Sequence, residues 1–106
     1  MVNNQIEKDI KLIAEHYGYE PQSRQLIEEM AELTVAINKY YRADKSGKSA
    51  RDSLNLEYKL QNITEEIADV EIMLEQVKFL IGCSKEVEQI KIQKVARQME
   101  RIESEG

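Results

Sequence analysis

A chain of 106 residues has room for one domain with a real core and not for two. No tryptophan, one proline and four glycines favour long helices over turn-rich β structure, and the single cysteine, Cys83, excludes an internal disulfide and fits a reducing, cytoplasmic compartment. The formal charge of −5 argues against sequence-independent binding to a nucleic-acid polymer, and neither a membrane-spanning apolar run nor a signal-peptide core is present.

Taken in order, Val2, Ile6, Ile10, Ile13 and Tyr17, with Ala14, recur on one helical face and predict a first helix over about 3–17. Gly18 is a natural C-terminal cap, and Pro21 keeps the following residues extended. Ser23 then reads as the N-cap of a second helix running to Tyr41 or Arg42, with Leu26, Met30, Leu33 and Ile37 as its apolar stripe. Residues 44–53 have no apolar period and read as an exposed polar loop. Within it Gly47-Lys48-Ser49 has the tail of a phosphate-binding loop, but the upstream glycine and strand are missing, so it is read as a coincidence.

A third helix is predicted from Asp52 or Ser53 to Ile81, with Leu56, Leu60, Ile63, Ile67, Val70, Leu74, Val77 and Ile81 on one stripe. Gly82 ends it and Ser84 can cap a fourth helix over Lys85–Glu103. There Val87, Val95, Met99 and Ile102 lie near one face with Ile92 alongside, Lys91 and Lys94 on a flank, and Arg97 and Arg101 further round. Helices two and three also carry apolar residues off their stripes, Val35, Ile72 and Phe79, which suggest burial against another copy. The expectation is an all-α, four-helix bundle-like protomer, one domain over 1–106, assembling as a homodimer or homotetramer.

The second and third helices contain an echo. Leu26-Ile27-Glu28-Glu29-Met30-Ala31-Glu32-Leu33 returns thirty-seven positions later as Ile63-Thr64-Glu65-Glu66-Ile67-Ala68-Asp69-Val70. Glu29 and Glu66 fall at the edge of the buried faces, with Glu32 and Asp69 one helical step further round. Residues 25–38 hold three acids and 60–77 hold five, with no lysine or arginine in either window. A solvated helix face usually mixes signs at i and i+4, so this pattern is not an ordinary one. Two helices packing these stripes would bring four carboxylates to one spot, where they repel unless a cation joins them. Oxygen-only ligands suit a hard ion, Mg²⁺ or Mn²⁺. The one histidine, His16, is far from the acids in sequence and is read as a surface or core-edge residue.

Glu28-Glu29-x-x-Glu32 followed by Glu66-x-x-Asp69 resembles the signature of the MazG-like, all-α nucleoside triphosphate pyrophosphohydrolases, and the similarity extends from about His16 to Arg101. The resemblance implies Mg²⁺-dependent cleavage of a nucleoside triphosphate between the α and β phosphates, in a nucleotide-pool house-cleaning role. It implies Glu29, Glu32, Glu66 and Asp69 as metal ligands and Glu28 as a residue that either supports those ligands from behind or helps orient the attacking water. Lys91, Lys94 and Arg97 match the basic last segment of the family as phosphate contacts, and Gln22 resembles a position near the nucleotide. The spacer from Glu32 to Glu66 is longer than in many relatives, and the chain is too short for the longer dimeric dUTPase branch, so dUTP specificity does not follow. The alternative is a helical module without catalysis whose acids recognise a basic protein partner.

Overall fold

The computed structural model describes residues 3–46 and 50–106, and side-chain surroundings everywhere in these except 43–54. It is all-helical, with α1 over Asn4–Tyr17, α2 over Tyr19–Ser46, α3 over Ala50–Ile81 and α4 over Ser84–Glu105. Among the described residues no helix is long and apolar enough to cross a membrane. Val2 and the Gly47-Lys48-Ser49 stretch lie outside the described residues.

Helix α1 starts where Asn3 turns extended and its side chain accepts a 2.9 Å hydrogen bond from the Ile6 amide, a standard N-cap. It ends at Gly18, whose φ of 87° and ψ of 172° lie in a region open to glycine and closed to side-chain-bearing residues. That one residue is the whole connection to α2. Helix α2 therefore begins four residues before the expected Ser23. Pro21 does not hold the chain extended: it sits in the first turn, where its missing N–H would have no helical partner in any case. Ser23 is inside the helix, its hydroxyl donating to the Glu20 carbonyl at 3.1 Å.

Most of the expected loop over 44–53 is helical instead, with 44–46 in α2 and 50–53 in α3. Helix α2 continues to Ser46 and α3 starts at Ala50, because lysine, arginine, alanine and serine tolerate a helix even without an apolar face. Gly82 closes α3 as expected: at φ 82° its amide donates to the Lys78 carbonyl at 2.9 Å, and the Cys83 amide reaches the same carbonyl at 3.1 Å. Cys83 stands at the N-cap position of α4 without a side-chain cap, and Ser84 is the first helical residue instead of the cap.

Helices α2 and α3 form an antiparallel hairpin, and α1 packs across it, mainly on α3. Ile10 and Ala14 carry the α1 contact, and the Lys11 ammonium lies 5.7 Å over the Phe79 ring. The hairpin core is Leu26, Val70 and Met73, with Leu33 and Val77 against it. The buried seam of α2 runs through Gln22, Leu26, Glu29, Leu33 and Ala36 at alternating steps of four and three. The expected stripe is thus rotated: Met30 and Ile37 lie on the exposed side, as do Ile67 and Leu74 of α3. Helix α4 differs from the bundle expectation. Among the described residues it touches only α3 and buries nothing, leaving Ile92, Val95, Met99 and Ile102 exposed.

The one-residue link gives a direct test. Nothing lies within 4 Å of a Cβ added at Gly18, so Gly18→Ala meets no clash and bears only the backbone strain. It should lower stability by roughly 1–3 kcal/mol in a urea melt, with helix content otherwise unchanged.

Candidate metal centre

The seam spacing carries two glutamates into the helix–helix contact. Glu29 on α2 and Glu66 on α3 are half-buried, and Asp69 is exposed at the rim one turn along from Glu66. One ligand oxygen from each of Glu29, Glu66 and Asp69 lies within 4.8 Å of the others. Glu29 Oε1 accepts a 2.8 Å hydrogen bond from the Gln25 side chain, one turn earlier on the same helix. Its other oxygen, Oε2, and the Oε2 of Glu66 are buried without any hydrogen-bond partner. Two such orphaned anionic oxygens are costly unless a proton or a cation reaches them.

Burial and the crowding of the acids raise the titration of Glu66 and Asp69. The Glu66 carboxyl is raised above its ordinary 4.5, first by burial and then by the charges of Glu32, Glu29 and Asp69. Asp69 is raised above its ordinary 3.8, again first by burial and then by Glu29 and Glu65. The closeness of the Glu29 carboxylate favours the protonated form of each. Repulsion of this kind favours uptake of any positive charge. Three or four carboxylate oxygens with no nitrogen or sulfur fit a hard divalent ion of the Mg²⁺ or Mn²⁺ class.

The remaining expected residues are placed unequally. Glu32 is outside the tight trio but near enough to act on Glu66, and the two line a shallow recess of about 340 Å³ with Ala31, Val35, Ala36 and Asn62. Glu28 is exposed, about 100° round α2 from Glu29. Lys91, Lys94 and Arg97 are exposed on α4, and among the described residues none pairs with the trio. Lys91 instead meets Glu88 at 3.4 Å and lines a broad groove between α1, α3 and α4. Gln22 is buried in the α2–α3 seam, where its amide nitrogen donates to Gln76 Oε1 at 2.7 Å. Sequence reasoning missed Gln25, Asn62 and Gln76. Gln25 stands at i−4 from Glu29, a readable spacing, whereas the other two needed the hairpin register.

Residues 18–104 match the family model of the MazG nucleotide pyrophosphohydrolase domain. No curated protein and no solved structure matches the chain.

The pH dependence follows from the sign of the shifts. A carboxyl whose pKa is higher folded than unfolded contributes stability at low pH, and that contribution is lost as pH rises through the folded value. Without divalent ions, lowering the pH from neutral through the raised Glu66 and Asp69 values towards 4.5 and 3.8 should therefore relieve a strain on the fold. Glu66→Gln should raise the metal-free melting temperature at pH 7 and flatten this trend in calorimetry. Saturating Mg²⁺ should raise the wild-type melting temperature at pH 7, and that gain should vanish over the same window as the ligands protonate.

Proposed function

The chain belongs to the MazG nucleotide pyrophosphohydrolase family, and on that premise we propose that it hydrolyses nucleoside triphosphates to the monophosphate and pyrophosphate. Glu29, Glu66 and Asp69, joined by Glu32, hold Mg²⁺ or Mn²⁺. The observation that carries this reading is the trio of carboxylates within 4.8 Å, two of whose oxygens are buried and unpaired. A divalent ion bound there supplies the positive charge that polarises phosphoryl oxygens and lets a polyanion approach an acidic surface.

The protein groups do the rest. Gln25 holds one oxygen of Glu29, and the other is left buried and unpaired. Glu28 accepts a hydrogen bond from the attacking water and orients it towards the α phosphorus. Lys91, Lys94 and Arg97 meet the charge that builds on the departing pyrophosphate. The protein works as a homodimer or homotetramer in which another copy covers the exposed stripe of α4, Ile92, Val95, Met99 and Ile102. House-cleaning of the nucleotide pool is the role consistent with this reaction.

Chromatography of a panel of canonical and modified ribo- and deoxyribonucleotides tests activity and substrate class together. Monophosphate and pyrophosphate should appear only with Mg²⁺ or Mn²⁺, and chelation should abolish turnover. Glu29→Ala, Glu66→Ala and Asp69→Ala should each lower kcat by about 100-fold or more, with Glu32→Ala also well below wild type. Lys94→Ala should act mainly on KM. Release of orthophosphate with a diphosphate would contradict the α–β cleavage. A folded protein with no turnover across the panel would favour an acidic surface that recognises a basic protein.

A further inference from the structure

Gln76 is the most deeply buried of the large side chains among the described residues, at 2% exposure, and Gln22 faces it at 9%. Their 2.7 Å hydrogen bond lies in a seam otherwise built from Leu26, Val70, Met73 and Val77. The Gln76 amide nitrogen has only the Met73 sulfur, at 3.8 Å, as a further partner. Two amides in such a place are satisfied only when they face each other. We infer that the Gln22–Gln76 bond is the register lock of the carboxylate centre, fixing how far along α2 the helix α3 sits and so bringing Asp69 and Glu66 to Glu29. The inference rests on the metal reading of that centre. It makes Gln22 a positioning residue that acts through Gln76 in place of a contact to the nucleotide.

The register argument is arithmetic. Gln22 and Glu29 are seven residues apart on α2, and Gln76 and Asp69 are seven apart on α3. In an antiparallel pair, the same two-turn step along each helix leads from the amide pair to the acid pair. A further step of seven leads to Ala36 and Asn62, which line one recess. The apolar residues cannot enforce this alignment alone, because contacts such as those of Leu26, Val70 and Met73 are non-directional. A one-turn slip moves α3 by about 5.4 Å, more than the 4.8 Å that encloses the three ligand oxygens. Nor can the acids hold the register before an ion arrives, since they repel. The amide pair is the feature of the seam that a slip would leave unsatisfied.

The test uses the full chain and Mn²⁺ alone, without nucleotide. Gln22→Leu combined with Gln76→Leu replaces the bond by two apolar groups of similar size. The double variant should melt near or above the wild type yet bind Mn²⁺ at least tenfold more weakly, read from the free-ion electron paramagnetic resonance signal. Gln22→Asn, one methylene too short for the bond, is the milder second variant and should show an intermediate loss. Register is read separately, by the distance between spin labels on Arg24→Cys and Glu57→Cys with Cys83→Ser, diluted in unlabelled chain. The double-leucine change should shift that distance by about 5 Å or split it into two populations. Wild-type Mn²⁺ affinity in the double variant, or weakened binding at an unchanged label distance, would overturn the lock. So would an effect confined to nucleotide affinity, which would return Gln22 to substrate contact. If the wild type itself takes up no Mn²⁺, the metal reading falls, and the label distance still decides whether the amides set the register.

Discussion

Acidic side chains at the contact between two packed helices are the constraint on which this structure turns. Such a contact normally selects apolar residues, because packing removes solvent from both faces. Here the steps of four and three along α2 pass through Gln22 and Glu29, and the matching face of α3 carries Glu66 and Gln76. The α2–α3 seam is thus divided into levels: an amide pair, an acid centre two turns away, and apolar contacts between them. Leu26, Val70 and Met73 supply the hydrophobic drive. The polar levels cost part of that drive, and on the register-lock reading they confine the two helices to one alignment.

Other features follow from the need to support a hairpin whose own core is small. Only six apolar side chains are buried among the described residues, two of them from α1. Helix α1 therefore acts as a brace, laid across α3 by a one-residue link whose backbone conformation only glycine takes comfortably. Helix α4 gains little from the hairpin, half-burying Val87 and keeping Ile92, Val95, Met99 and Ile102 exposed. A surface of that kind is unusual on a lone small domain, where apolar patches of several hundred Å² mark contact sites.

Much of this was legible in the sequence, and the misses have physical causes. The four helices and the glycine stops at Gly18 and Gly82 follow from local rules of period and conformation, and of the four acids expected to meet, Glu29, Glu66 and Asp69 come together while Glu32 stands outside. The orientation of the seam does not. A helix with apolar residues at Leu26, Ile27, Met30, Leu33, Val35 and Ile37 offers several overlapping stripes, and the widest was not the one the hairpin used. The stripe in use is the one that turns Gln22 and Glu29 towards the partner helix. The boundaries around Pro21, Ser23 and Ser84 failed for a related reason. A proline in a first turn and a serine just inside a helix cost little, so neither marks a boundary by itself. Gln76 carried no local signal at all, since a lone glutamine on a helix reads as a solvated residue until its counterpart across the seam is known.

The position of the acids also couples stability to function. Carboxylates on an exposed rim could bind an ion and leave the fold indifferent to it. Glu29 and Glu66 instead turn unpaired oxygens into the helix contact, so their repulsion is borne by the same packing that joins α2 to α3. Protonation eases that repulsion at low pH, and on the metal reading a divalent ion would ease it at neutral pH while keeping the carboxylates ionised. On the metal reading, the ion is then both the agent of catalysis and a bridge between the two helices. Replacing the acids by apolar residues would strengthen the seam and abolish the site, the expected signature of a protein that gives up stability where it acts.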